Sequence, residues 1–373
     1  MLGRIFMQML SLNPSFLGVQ NIYKKWIEIF FNIVLVLSCQ SAATLLGELY
    51  YKEGGKTTWL VSLLQNGGFP LLLPIYFLNK IPKKCTLISD DENNTSSAIS
   101  IWKLLSVYVF LGTLLGGCCM LSAVGLLYLP VSTFSLINTT QLGFNTLFSF
   151  FLNSKKITTY IANSIFLLTI SSILLVLQRD DSSSGHNKGG KHYIIGFICK
   201  LFASAGYALL LSFTERVFRN IIKKRTMKEV INLVIWQSFF ATCVILIGLF
   251  ASGGWKGLKT EMQEYKLGKL SYVMTLVWNA LCWQVYTIVV LSLITKVSAL
   301  FANVITALTI PLIPILAVII FHEKMSGVKA VSMILAIWGF LSYAYQQYLD
   351  ELKRKADMSK ANEESEVSLV EQA

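Results

Sequence analysis

The run YLPVSTFSLINTTQLGFNTLFSFFLNSKKIT, Tyr128–Thr158, decides the fold of this chain. Its first part, Leu129–Leu152, is mostly apolar and long enough for a bilayer core, which takes about 20 such residues per helix. A short basic hinge follows at Lys155 and Lys156, and a second apolar run starts at Ile157. Inside the first run Ser135, Asn138, Gln141 and Asn145 recur at spacings of 3, 3 and 4, so they share one helical face. Polar groups facing lipid are costly, so this face meets protein or a watery cavity. Helix–helix hydrogen bonding is the other use of such a stripe. Shifting the sequence by 168 residues sets the hinge on IFHEKMS, Ile320–Ser326, with Leu152 opposite Ile320. Both places read as an apolar helix, a short hinge and another apolar helix.

Working outward, ten runs have the length of a span: Trp26–Leu49, Trp59–Leu78, Ile101–Leu121, Leu129–Leu152, Ile157–Leu177, Tyr193–Phe213, Val230–Ser252, Ser271–Leu293, Ser298–Phe321 and Gly327–Tyr348. Five fall in each half. Five is odd, so the second half enters the bilayer from the opposite side, which makes an inverted repeat typical of secondary transporters. The expected fold is an all-α integral membrane protein of ten transmembrane helices in two inverted five-helix repeats. The expected division is a cytosolic N-terminal tail over 1–25, a first repeat over 26–177 and an extracytosolic linker over 178–192. A second repeat over 193–348 and a cytosolic, disordered C-terminal tail over 349–373 complete it.

Composition agrees. Apolar residues make up 54% and charged residues 14%, against about 25% charged in a soluble domain. This excludes a soluble globular protein, a disordered chain and a nucleic-acid binder. With the N-terminus inside, the inner segments hold 19 Lys and Arg and the outer loops 10, so both termini are expected in the cytosol. The net charge of +12 then marks cytosolic loops, above all ERVFRNIIKKRTMKE, Glu215–Glu229. Asn93 and Asn94 fit the glycosylation pattern but fall in an inner loop, so neither is expected to carry a glycan. The seven cysteines are odd in number, lie mostly in apolar runs and form no CxxC, and there are three histidines. No disulfide framework, metal site or cofactor is expected. There is no GxxxxGK[ST] and no nucleophile–base set, so neither ATP-driven pumping nor an enzyme is expected.

An inverted repeat places its cargo site between the halves. Candidate substrate-binding residues are those on polar stripes or beside breakers. They are Gln65 and Asn66 before GGFP, the stripe Asn138, Gln141 and Asn145, and Trp236 and Gln237. Asn279, Trp283 and Gln284 join them from span 8, with Asn303 and Thr306 from span 9. Asn279, Trp283 and Tyr286 share a face, a combination that holds a flat heterocycle by stacking and amide hydrogen bonds. Gly112 and Gly116 form a GxxxG, mainly a packing motif. No carboxylate lies mid-span. Glu48 and Glu215, near span ends, are the candidates for proton coupling, and Lys200 within span 6 is the candidate partner of Glu48. Cationic side chains are not concentrated in the spans, so the cargo is expected to be weakly charged, flat and partly apolar.

QSAATLLGELYYKEGGKTTWL (Gln40–Leu60), QNGGFPLLLP (Gln65–Pro74), the run quoted first, WQSFFATCVILIGLFASGGWKGLKTEM (Trp236–Met262), LVWNALCWQVYTI (Leu276–Ile288) and FHEKMSGVKAVSMILAIWGFLSYAYQQYL (Phe321–Leu349) together resemble the plant purine permease family of the drug/metabolite transporter superfamily. The resemblance covers Trp26–Leu349. It implies ten helices in two inverted repeats and proton-coupled uptake of adenine, cytokinins or related heterocycles, with some members associated with plant alkaloids. The chain departs from the family pattern at Glu48, within LLGELYY, and at Lys200. The expected function is therefore secondary active, proton-coupled uptake of purine-like heterocycles or alkaloids at the plasma membrane. An endomembrane exporter of similar cargo and a non-transporting heterocycle-binding receptor are the alternatives. The expected partners are the cargo, protons and the lipid bilayer, and a monomer is compatible with all of these.

Overall fold

The structure is a computed structural model that describes residues 19–74, 101–153, 158–177, 190–222, 227–296, 299–322 and 326–371. The glycosylation pattern at Asn93 and Asn94, and the first 18 residues, lie outside the described residues. Among the described residues every regular element is a helix: α1 Val19–Lys52, α2 Thr58–Asn66, α3 Ile101–Tyr128, α4 Val131–Asn138, α5 Thr140–Asn153, α6 Thr159–Leu177, α7 Gly190–Val217, α8 Met227–Ala251, α9 Leu258–Glu264, α10 Gly268–Lys296, α11 Ala299–Phe321 and α12 Gly327–Glu371. Parts of α1, α3, α7, α8, α10 and α12 are long and apolar enough to cross a bilayer, and α6 and α11 hold shorter apolar stretches. Large apolar side chains such as Phe166, Phe202, Ile247 and Trp338 stay more than 60% exposed. A bundle that shows such groups outward is covered by hydrocarbon rather than water.

Three elements differ from the sequence expectation. The fourth span is broken between α4 and α5. The Thr139 hydroxyl donates to Leu136 O at 2.6 Å and the Thr140 hydroxyl to Ile137 O at 2.7 Å. Such back-bonding draws carbonyls off the helical ladder and bends it. The second span stops at Asn66, turns through Gly67 and Gly68, and continues as a 3-10 turn at Phe69–Leu72. A Cβ on Gly68 would collide with the Gln284 side chain, so glycine lets α10 approach this break. The third difference is the C-terminal tail, which extends α12 as helix to Glu371 where disorder is expected. It holds Ala, Leu, Glu, Lys and Arg without Gly or Pro, a composition with high helix propensity.

Helix pairing follows close approach. α3 runs along α7 and α8, α1 along α10, α6 along α12, and α4 along α11, while α5 packs on α7 and α1 on α11. The GxxxG of α3 is the α3–α8 crossing. A Cβ on Gly112 would sit 2.9 Å from Gln237 O, and one on Gly116 3.2 Å from Ala241 O. Small residues there let two backbones meet. Leu45, Tyr50 and Tyr51 of α1, Val131 of α4, and Tyr265 and Tyr272 around α10 belong to one buried apolar cluster.

Candidate functional site

A cavity of about 460 Å³ lies between the helices, walled by α1, α2, α3, α4, α5, α7, α10, α11 and α12. Among the described residues neither α6 nor α8 contributes to the lining. The stripe that opened the sequence argument faces this space: Ser135, Asn138, Gln141 and Asn145 all line it. Asn145 is held on both sides, its Nδ2 donating to Tyr343 Oη at 3.3 Å and its Oδ1 accepting from Ser212 Oγ at 3.2 Å. Thr139 keeps right-handed helical dihedrals, φ −60° and ψ −29°, so the stripe stays on one face across α4 and α5.

From α10, Asn279, Trp283 and Tyr286 line the cavity on one face, as their spacing implies. Trp283 meets Tyr286 edge to face, with ring centroids 5.8 Å apart and planes at 86°. Asn279 is 2% exposed. Its Nδ2 donates to Ala43 O at 3.4 Å, and its Oδ1 is buried without a hydrogen-bond partner. On α1, one turn before Ala43, Gln40 also lines the cavity with a buried Oε1 that has no hydrogen-bond partner. Buried acceptors are rarely left unpaired, and each such group needs a reason. Both belong to residues that line the cavity.

Other expected residues separate into lining and non-lining. Gln65 lines the cavity and donates from Nε2 to Tyr207 Oη at 3.4 Å, and Thr306 also lines it. Asn66 and Gln284 are buried but do not line the cavity. Asn66 stands behind the wall, donating to Cys119 Sγ at 3.0 Å. Gln237 is buried at the α3–α8 crossing, and Trp236 is 42% exposed, stacked on Tyr108 with ring planes 5° apart. Neither reaches the cavity, because α8 lies outside the ring of lining helices. The Asn303 side chain lies outside the described residues.

The charges are arranged differently from the expected Glu48–Lys200 pair. The Glu48 carboxylate lies 3.5 Å from Lys52 Nζ, one turn along the same helix. Lys200 donates to Ser122 Oγ at 3.2 Å and sits 3.9 Å from the centroid of the Phe134 ring. A neighbour four residues on is held close by helix geometry, whereas a cross-bundle partner is not. Glu215 lies near the far end of α7 and does not line the cavity.

Sequence reasoning passed over Gln40, Thr44, Tyr207 and Tyr343, all of which line the cavity. The polar cluster Ser38, Gln40, Ser41 and Thr44 inside the otherwise apolar α1 was the available signal. The tyrosines gave none, since an aromatic in a span reads equally as packing. A second feature lay outside every stripe. Glu261, on the short α9, is buried and accepts from Tyr50 Oη, from Thr57 Oγ1 at 2.7 Å and from Tyr272 Oη at 3.2 Å.

A family profile described as purine nucleobase transmembrane transport matches residues 27–353. The chain is 50% identical over 347 residues to Purine permease 21 of Arabidopsis thaliana, covering 93% of this chain and 86% of that protein. It is 49% identical to Probable purine permease 22 of the same plant, covering 93% and 90%, and 50% identical to Probable purine permease 8, covering 89% and 83%.

Proposed function

We propose that this chain, which belongs to the purine permease family, is a secondary active transporter that takes up purine-like nitrogen heterocycles together with protons. The family is one of transporters, not enzymes, and its members work in a bilayer, so the chain is a multi-pass membrane protein. The observation that carries the cargo class is the cavity lining, which combines the amides Asn138, Gln141, Asn145 and Asn279 with the Trp283 ring. A purine-like base brings N–H groups for such acceptors and a flat face for the ring. Adenine, cytokinins and heterocyclic alkaloids all meet this description.

Ten spans in two inverted repeats, 26–177 and 193–348 joined by 178–192, supply the alternating access that such a carrier needs. The helix pairing supports this reading. Exchanging spans 1–5 with 6–10 turns the α1–α10 contact into α7–α3, the α5–α7 contact into α11–α1, and returns α6–α12 and α4–α11 to themselves. Both termini face the cytosol at the plasma membrane, in keeping with the basic inner loops. Epitopes on the two termini are then labelled only after cells are permeabilised, and labelling of intact cells overturns the orientation.

No acid lines the cavity among the described residues. Coupling therefore rests on no single carboxylate, with water or the cargo's own protonation sharing the role. The test is counterflow and net uptake of labelled adenine in proteoliposomes against external pH. Wild type, Glu48→Gln and Glu215→Gln are all expected to exchange and to keep their pH dependence. Binding without counterflow would reduce the protein to a receptor. A variant that exchanges normally but loses all pH dependence of net uptake would identify the carrier residue.

A further inference from the structure

The cavity stops against an apolar layer at one end of its helices. Leu126 and Ile313 line the cavity and also belong to the buried cluster that holds Tyr50, Tyr51, Tyr265 and Tyr272. On α1 the lining residues Thr44 and Gly47 are followed by Tyr50 and Tyr51 of the cluster, and the helix ends at Lys52. On α11 the lining residue Thr309 is followed by Ala317 of the cluster, and the helix ends at Phe321. α10 runs the other way, from Tyr272 of the cluster near its start to Asn279 and Trp283 on the lining. On all three helices the cluster thus stands between the cavity and one shared end.

At that end the link between α8 and α10, which contains α9, is tied to the link between α1 and α2. The Lys266 backbone N–H donates to Glu53 O at 3.1 Å, its Nζ donates to Lys52 O at 3.2 Å, and Lys56 Nζ lies 3.3 Å from the Glu264 carboxylate. The Glu261 carboxylate of α9 is buried and accepts from Tyr50 and Tyr272 of the cluster and from Thr57. Hydrogen bonds to an ionised acceptor are the strong ones. Two glycines with left-handed backbone bound the α9 link, Gly253 at φ 68° and Gly268 at φ 87°. A Cβ on either would meet nothing within 4 Å, so the backbone angle and not crowding calls for glycine. Loop positions of this kind absorb the dihedral change when a segment moves.

We infer that residues 253–268 form a hinged lid over the cargo cavity, latched shut by Glu261 against Tyr50, Thr57 and Tyr272, and that cargo passes this end only when the latch lets go. The inference rests on the transport reading above and adds the part that gates it. The latch joins the first half of the chain, through α1 and Thr57, to the second half, through α9 and α10, and alternating access requires the halves to part. Each exchange needs the lid both open and closed, so a lid tied shut and a lid without its latch both slow it.

The experiment is labelled-adenine counterflow in proteoliposomes for Lys56→Cys/Glu264→Cys, before and after its two new cysteines are joined by a short bismaleimide. Each single variant receives the same reagent, so reaction at native cysteines cancels in the comparison. Lys56 and Glu264 are exposed and neither lines the cavity, so the unjoined double variant exchanges as wild type does. A lid that must open for every exchange is blocked by the tie, so joining lowers the rate by about tenfold or more relative to the treated single variants. A joined protein that exchanges as fast as they do overturns the inference. Should that double variant fail to fold, Glu53→Cys/Lys266→Cys, closed by oxidation and reopened by dithiothreitol, takes its place with the same two outcomes. Absence of counterflow in untreated wild type overturns the transport reading instead. The lid is then read from hydrogen–deuterium exchange: faster exchange over 253–268 in Glu261→Ala supports it, and unchanged exchange there overturns it.

Discussion

Trp283→Ala removes nearly all heterocycle exchange, while Trp283→Phe keeps a measurable part. Trp283 lines the cavity one turn beyond Asn279, whose Oδ1 lacks a partner, and its ring meets Tyr286 edge to face at 5.8 Å. That contact fixes the indole plane before any cargo arrives. Stacking of a base on an aromatic side chain is worth about 1–3 kcal/mol when the ring is removed, so Ala costs roughly fivefold to more than a hundredfold in affinity. Phe keeps a smaller face and a smaller contact with Tyr286, so its cost is a fraction of that. The half-saturation concentration for counterflow, measured at matched protein amount in the membrane, checks the expectation. Equal losses in both variants accompanied by reduced expression would make Trp283 a packing residue.

Glu261→Ala destabilises the protein and slows transport, and Glu261→Gln does so less. The short helix α9 brings this buried carboxylate between Tyr50 of α1, Thr57 at the start of α2 and Tyr272 of α10. Its three donors come from α1, from the residue that precedes α2 and from α10, and all three helices wall the cavity. A hydrogen bond to a charged acceptor contributes about 1.5–3 kcal/mol, and buried hydroxyls left behind by Ala lose their partner together. The loss is therefore about 3 kcal/mol or more, tempered because Tyr50 and Tyr272 can turn to each other across rings 6.0 Å apart. Gln keeps one acceptor oxygen and the side-chain volume, so part of the network survives. Thermal unfolding in detergent together with the counterflow rate at saturating cargo reads both effects. An unchanged midpoint and rate in Glu261→Ala would show that α9 only caps the loop. If the midpoint falls and the rate holds, the network is structural and takes no part in the transport cycle.

Sequence and structure divided the work along a physical line. Properties carried by neighbours along one helix were legible from the residues. The apolar runs gave the membrane-spanning class, because burial in lipid demands them segment by segment. The 3, 3 and 4 spacing of Ser135, Asn138, Gln141 and Asn145 gave a shared face, and those residues do line one cavity. The GxxxG of Gly112 and Gly116 gave a close crossing, which α8 supplies. Tertiary structure alone decided what depends on partners far apart in the chain. It left Trp236 and Gln237 out of the cavity, although their residue types matched those inside, because α8 packs behind α3. It gave Glu48 to Lys52 and left Lys200 on a hydroxyl and a ring, because the favoured ion pair is the one within a helical turn. It bound Asn279 to Ala43 of α1, 236 residues away, and drew Glu261 under Tyr50, 211 residues away in sequence. Periodicity is a property of one helix and can be read from its residues, whereas the identity of a buried polar group's partner depends on how separate helices pack.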